Sequence, residues 1–204
     1  MLLIGLTGNY GSGKSTVLAM FEKLGAITLN ADRIVGSLLK DGDVLEEIRD
    51  ILGDGVFNKD GSLNKKMVAD LIFKSDILRR SLEDILHPLV FSRIKDFLDK
   101  IGEKERIAVI EAPVIYERGY KGRFDKTIVV HTKEDIALNR LEKDGIMREE
   151  ALLRMKTQMP IEDKKEKADF LIDNNGDTEK TMTQVEIIYN KLLKEAGYGD
   201  SQRS

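Results

Sequence analysis

Cysteine is missing from all 204 residues, which removes disulfides, thiol nucleophiles and thiolate metal sites. Histidine is scarce: His87 and His131 are the whole supply, too few for a zinc centre without other ligands. No apolar run approaches bilayer-spanning length, and no signal-peptide pattern precedes the first apolar segment. A cytoplasmic protein with no membrane partner is therefore expected. Charge of one sign is not in excess either. The net charge of −3 gives no broad basic field for nucleic acid, and Arg79-Arg80 and Lys164-Lys165 read as solvated faces. What remains is a globular composition, 41% hydrophobic and 34% charged. The chain is long enough for one α/β domain with excursions, and a monomer is the default.

What the chain does have is Gly8-Asn9-Tyr10-Gly11-Ser12-Gly13-Lys14-Ser15. It reads G-x-x-x-x-G-K-[ST], a phosphate-cradling loop, provided a strand precedes it and a helix follows. Leu2-Leu3-Ile4-Gly5-Leu6 is an unalternating apolar run, as a strand buried on both faces requires. Beyond Lys14, Val17, Leu18, Met20, Phe21 and Leu24 recur at helical spacing, and Gly25 stands where that helix should stop. The glycines let backbone amides close round an anion, and the helix N-terminus adds partial positive charge. In this reading Gly8 to Thr16 bind a nucleoside triphosphate, Lys14 reaches the β- and γ-phosphates, and the Ser15 hydroxyl is a ligand to Mg²⁺.

Strands are expected again at Ala26–Leu29, Ile107–Ile110, Ile128–Val130 and Phe170–Ile172, alternating with helices. That rhythm predicts an α/β P-loop NTPase fold, a five-stranded parallel sheet flanked by helices. Between Asp32 and Lys104 no convincing strand appears. Apolar residues there mark successive amphipathic helices, with Asn58-Lys59-Asp60-Gly61 as a turn. Two of these helices are expected to meet at Pro88, in the first turn of the second. The expected division is a nucleotide-binding core of 1–31, 105–139 and 161–204, a helical insertion at 32–104, and a small lid at 140–160. The lid is read as one charged helix from about Arg148 to Gln158.

Ligands of open α/β sheets bind beyond the carboxyl ends of the strands, which directs attention to Asp32, Glu111 and the segment after Val130. Two readings stand for Asp32: general base for an attacking hydroxyl, worth ~10²–10⁴-fold, or a helix-terminus residue, either the cap itself or in the first turn after an Asn30 cap. Glu111 either helps hold Mg²⁺ through water or simply ends its strand. Arg140, Lys143, Arg148 and Arg154 supply a cationic lid over a triphosphate, or pair with Glu142, Glu149 and Glu150 on a solvated face. Thr132-Lys133-Glu134-Asp135 imitates the guanine-reading T-K-x-D but is preferred as a capping box opening a helix. His87 is a phosphate contact or a structural residue at a helix start.

Several separated stretches resemble one family, the dephospho-coenzyme A kinases, which perform the last step of coenzyme A biosynthesis. Ile4–Val17 is similar to that family's loop, and Asn30-Ala31-Asp32 to its D-A-D, which places the family's general base at Asp32. Asp60–Asn64 and Leu86-His87-Pro88 resemble landmarks of its acceptor-binding helices. Glu111-Ala112-Pro113-Val114-Ile115-Tyr116-Glu117 is similar to D-x-P-L-L-F-E. Arg154 to Gln158, and Ala168-Asp169 to Asn175-Gly176, follow in order. The resemblance implies ATP and dephospho-coenzyme A as substrates, with Asp32, Lys65, His87 and Glu111 on the acceptor side and Asn175 near the adenine. It also implies catalysis by Lys14, Asp32 and Arg140 beneath the lid cations Arg140, Lys143 and Arg154. Asn30, Glu111 and Lys65 replace an Asp, an Asp and an Arg of the pattern. The lid's two arginines would fall on Asn139 and Lys143, leaving Arg140 one position, ~100° of helix, out of register.

Overall fold

The computed structural model describes residues 1–102 and 107–197. The chain divides into two compact units, Met1–Asn30 with Glu103–Ser204, and Ala31–Gly102. The border expected at 104/105 and the tail after Gly197 lie outside the described residues.

In the first unit, β1 (Leu2–Thr7), β2 (Ile27–Asn30), β3 (Ile107–Glu111), β4 (Lys126–His131) and β5 (Phe170–Asp173) form one sheet. Its order is β2-β3-β1-β4-β5, and every neighbouring pair is parallel. The central strands are apolar without alternation because helices or loops cover both faces. On one face α1 (Lys14–Lys23) and α9 (Thr178–Glu195) bury Val17, Phe21, Val185, Ile188 and Leu192 against Ile4, Leu6, Val109, Ile128 and Ile172. Register aligns Asn30 with Glu111 and Glu111 with Leu6. The carboxyl ends of β2, β3 and β1 are thereby brought side by side.

Between β4 and β5 run α6 (Glu134–Lys143), α7 (Arg148–Lys156) and α8 (Ile161–Lys167). Residue 140, the expected start of the lid, lies inside α6. The charged helix stops at Lys156 instead of Gln158, and α8 is an additional helix. The capping box is not formed. The helix begins one residue later than the box requires, with Lys133 at the N-cap and no side-chain cap bond. The Thr132 hydroxyl instead donates to Asn175 Oδ1 and the Asn174 carbonyl, while Asn175 Oδ1 also accepts the Lys133 amide at 2.7 Å.

The second unit holds α2 (Ala31–Leu38), α3 (Gly42–Leu52), α4 (Lys65–Lys74) and α5 (Asp76–Ile101). Asp41, Asn64 and Ser75 cap the last three through their side chains, as short oxygen-bearing residues do. The two helices expected to meet at Pro88 are a single helix with the proline inside it. Leu82, Leu86, Val90 and Ile94 continue one buried stripe past the proline. Pro88 itself is exposed, so the Asp84 carbonyl that loses its donor lies on the outer face.

Candidate active site

The loop between β1 and α1 is built where only glycine fits. Gly13 sits at φ 87°, and a Cβ there would lie 2.2 Å from Asn174 Nδ2. A Cβ on Gly8 would meet the Val130 carbonyl at the same 2.2 Å. Both are closer than real Cβ atoms come, so the loop is held against β4 and the β5 turn with no room for a side chain. Gly13 is also the N-cap of α1, and no side chain caps that end. The first-turn amides of α1 are thus open to an anionic acceptor.

Asn174, 7% exposed, fixes this loop from behind. Its Nδ2 donates to the Ser12 carbonyl at 2.8 Å, its Oδ1 accepts the Thr181 hydroxyl at 2.9 Å, and its amide reaches the His131 carbonyl. Sequence reasoning chose its neighbour Asn175, whose side chain is engaged with Lys133, Thr132 and Asp173. Nothing in the sequence separates these two asparagines. The fold does, by burying the first and leaving the second at the α6 terminus.

Lys14 is 8% exposed, and its Nζ donates to the Gly8 and Asn9 carbonyls at 2.9 and 3.1 Å. The ammonium is folded back on the loop it belongs to. The Ser15 hydroxyl, one residue on, donates to Glu111 Oε1 at 3.0 Å, and Asn30 Nδ2 donates to Glu111 Oε2 at 2.9 Å. Both oxygens of this 5%-exposed carboxylate are therefore engaged, one by the serine that the sequence paired with it and one by Asn30, which the sequence offered only as a helix cap. Thr16 is exposed in the first turn of α1.

The cations divide. Arg140 Nη2 donates to the Asn174 carbonyl at 2.8 Å. Its Nη1 is buried without a partner, 3.6 Å from where a Gly13 Cβ would be. The one-position displacement read from the sequence thus puts this arginine against the phosphate loop, while Asn139 and Lys143 are exposed. Arg154 pairs with Glu150 at 2.6 Å, donates to the Tyr10 hydroxyl, and stands 5.2 Å from the centre of the Tyr10 ring. Arg148 pairs with Glu142 at 3.4 Å. A second tie joins lid and loop, the Tyr10 amide donating to Gln158 Oε1 at 2.8 Å. A cleft of about 430 Å³ lies between Asn9, Tyr10 and Ser12 on one side and Leu152, Met155 and Ile161 on the other.

In the helical unit, Asp32 occupies the exposed first turn of α2, two residues past the end of β2. Lys65 opens α4, exposed, after its Asn64 cap. His87 is half-buried in α5, where burial lowers its pKa against an opposing pull from Asp84. Among the described residues no group of three or more His, Cys, Asp or Glu is placed to hold a metal ion. No helix among them is long and apolar enough to cross a membrane.

The family model for dephospho-CoA kinase matches residues 2–180. The Aquifex aeolicus dephospho-CoA kinase is 38% identical over 196 residues, 96% of this chain and 100% of that protein. The Listeria monocytogenes enzyme of the same name is 35% identical over 94% of this chain and 97% of its own. A crystallised Thermus thermophilus protein superposes with a TM-score of 0.83 at 28% identity, covering 95% of this chain and 97% of that one.

Proposed function

This chain belongs to the dephospho-CoA kinase family, and from that premise we propose how its residues divide the work. The reaction moves the γ-phosphoryl of ATP to the ribose 3′-hydroxyl of dephospho-coenzyme A, giving coenzyme A and ADP, the final step of coenzyme A biosynthesis.

Phosphoryl transfer asks a protein for position and charge more than for covalent chemistry. The amides of Gly11 to Thr16, at the uncapped start of α1, bind the triphosphate. Lys14 exchanges the Gly8 and Asn9 carbonyls for β- and γ-phosphate oxygens, a charge-assisted contact stronger than the neutral ones it leaves. Arg140 offers its unpartnered Nη1 to the same phosphates, since a buried donor without an acceptor is costly until one arrives. Arg154 and Lys143 cover the transfer from the lid. Ser15 and Glu111 are hard oxygen donors already within one hydrogen bond of each other, the type Mg²⁺ prefers. They fit that ion, with Glu111 acting through water, and when bound it neutralises charge on the transferring group.

Asp32 accepts the proton of the attacking hydroxyl. What supports this is its place just beyond the carboxyl end of β2, where α/β sheets present ligand-facing groups. The helical insertion receives the acceptor through Lys65 and His87, and Asn175 stands near the adenine. The whole reading is carried by one observation: Lys14 buried in the loop, beside a serine bonded to the carboxylate that ends β3. The partners are then small nucleotides, and a cytoplasmic monomer is part of the proposal, its second half checked by light scattering.

The test is to offer purified protein ATP with dephospho-coenzyme A, and separately with a panel of nucleoside monophosphates. ADP release that depends on dephospho-coenzyme A is the expected result. Phosphorylation of the monophosphates alone would overturn the acceptor assignment while leaving the nucleotide site intact.

A further inference from the structure

Lys164 is 0% exposed and, with Phe21, among the largest fully buried side chains of the molecule. The chemistry above does not use it. An ammonium without water is expensive unless it is paired and hydrogen-bonded, so its partners matter. Its Nζ lies 2.8 Å from Glu117 Oε1 and donates to the Pro113 carbonyl at 3.1 Å. Burial pulls its pKa below the ordinary lysine value, and the Glu117 carboxylate pulls it back.

Those partners belong to two working parts of the site. Pro113 stands two residues after Glu111, and its carbonyl also accepts the hydroxyl of Thr7, the last residue of β1 before the phosphate loop. Glu117 Oε1 in addition accepts the Met159 amide at 3.0 Å, while its Oε2 is buried without a partner. Met159 directly follows Gln158, which holds the Tyr10 amide of the phosphate loop. The limb of chain returning from the lid, residues 158–164, is thus strapped at three points: to the phosphate loop, to Glu117 and to Pro113.

We propose that Lys164 is a positioning residue which, with Glu117, clamps the returning limb of the lid to the segment after β3 and so keeps Gln158 on the phosphate loop. An apolar side chain of similar volume would satisfy packing at this place. The ion pair adds direction, because Glu117 must present one oxygen to two donors arriving from different turns. Without that fixed acceptor, the Met159 amide and the residues before it have no defined height above the loop. Nucleotide would still bind, because the strap meets the loop at the Tyr10 amide, ahead of the Gly11 to Thr16 amides assigned to the triphosphate. Closure over it would lose registration.

The inference rests on the kinase reading, and the wild-type enzyme with ATP and dephospho-coenzyme A is the control that tests that reading alone. Two variants separate positioning from folding. Glu117→Gln keeps an acceptor for Met159 and removes the charge. Lys164→Met combined with Glu117→Gln leaves no unpaired buried charge. The expected outcome for the double variant is a Tm within about 5 °C of wild type and a fluorescent-ADP Kd within about threefold. Its kcat should fall about tenfold or more, with faster hydrogen exchange confined to residues 147–160. A folded double variant with kcat within about threefold of wild type would overturn the proposal. So would exchange raised evenly through the molecule, which would mark the pair as stability alone. Failure of both variants to fold would overturn it too, by making the pair a folding element.

Discussion

The two units bury different things. Among the described residues, the buried polar and charged side chains are Thr7, Ser12, Lys14, Glu111, Thr127, Lys164, Asn174 and Thr181, every one in the sheet unit. In the helical unit the buried side chains are Leu38, Val44, Ile48, Val56, Val68, Leu82, Leu86, Val90 and Ile94, all aliphatic. Desolvated polar groups are stable only with partners in place. In the sheet unit all of these side chains but that of Ser12 have such partners in place. Among the described residues of the helical unit, no polar or charged side chain is fully buried, and apolar packing holds its helices together.

The two units should respond differently to substitution, most of all at Lys14 and Asp32. Lys14→Ala removes the buried cation of the rigid side, and kcat/KM should fall on the order of 10³-fold, with far-UV circular dichroism unchanged. Unaltered kinetics would take the loop out of the mechanism. Asp32→Asn is the counterpart on the exposed side. Here kcat should fall about 10²-fold with the far-UV circular dichroism unchanged. A loss below about threefold in kcat would return Asp32 to the helix-terminus reading.

How much of this was legible follows from what each feature depends on. The loop, β1 and α1 are contiguous, so glycine spacing and an apolar run sufficed to find them. Strand order and the Ser15–Glu111 contact join residues distant in sequence, and only the expectation that strand ends share a crevice pointed toward them. Pro88 was read as a helix start from a local rule, while the stripe Leu82, Leu86, Val90, Ile94 carried the opposite signal past it. The helix α8 was missed because Ile161–Lys167 is nearly all charged. Its inward residue is Lys164, and a buried lysine looks like a surface residue to any hydrophobicity pattern. Asn174 was passed over for the same reason: its importance is its burial, which no local pattern of residues records.

That residue sharpens the comparison. Asn174→Ala deletes the bonds to the Ser12 carbonyl and the Thr181 hydroxyl, taking the side-chain donor from the first and leaving the second only its longer bond to the Asp177 carbonyl. The cost should be about 1–3 kcal/mol in urea or thermal unfolding, accompanied by weaker binding of a fluorescent ATP analogue. Loss of stability with unchanged nucleotide affinity would mean that the loop keeps its shape without this prop. The link between burial and preorganisation would then fail at its best-connected point.

The smallest expected effect concerns acid. Burial alone would raise the Asp169 pKa, but the Thr127 amide and hydroxyl, donating to its Oδ2 at 2.8 and 2.9 Å, outweigh that and hold it below the usual carboxylate value. A carboxyl depressed in the folded state binds its proton more readily when unfolded. Its contribution is therefore complete above the unfolded value of about 3.9 and is lost as pH falls through the lower folded value. Asp169→Asn should be slightly less stable than wild type at pH 7 and approach it as pH falls below the unfolded value of about 3.9, read as converging urea midpoints. A constant gap across that range would mean that the bonds to Thr127 act through shape and not through charge.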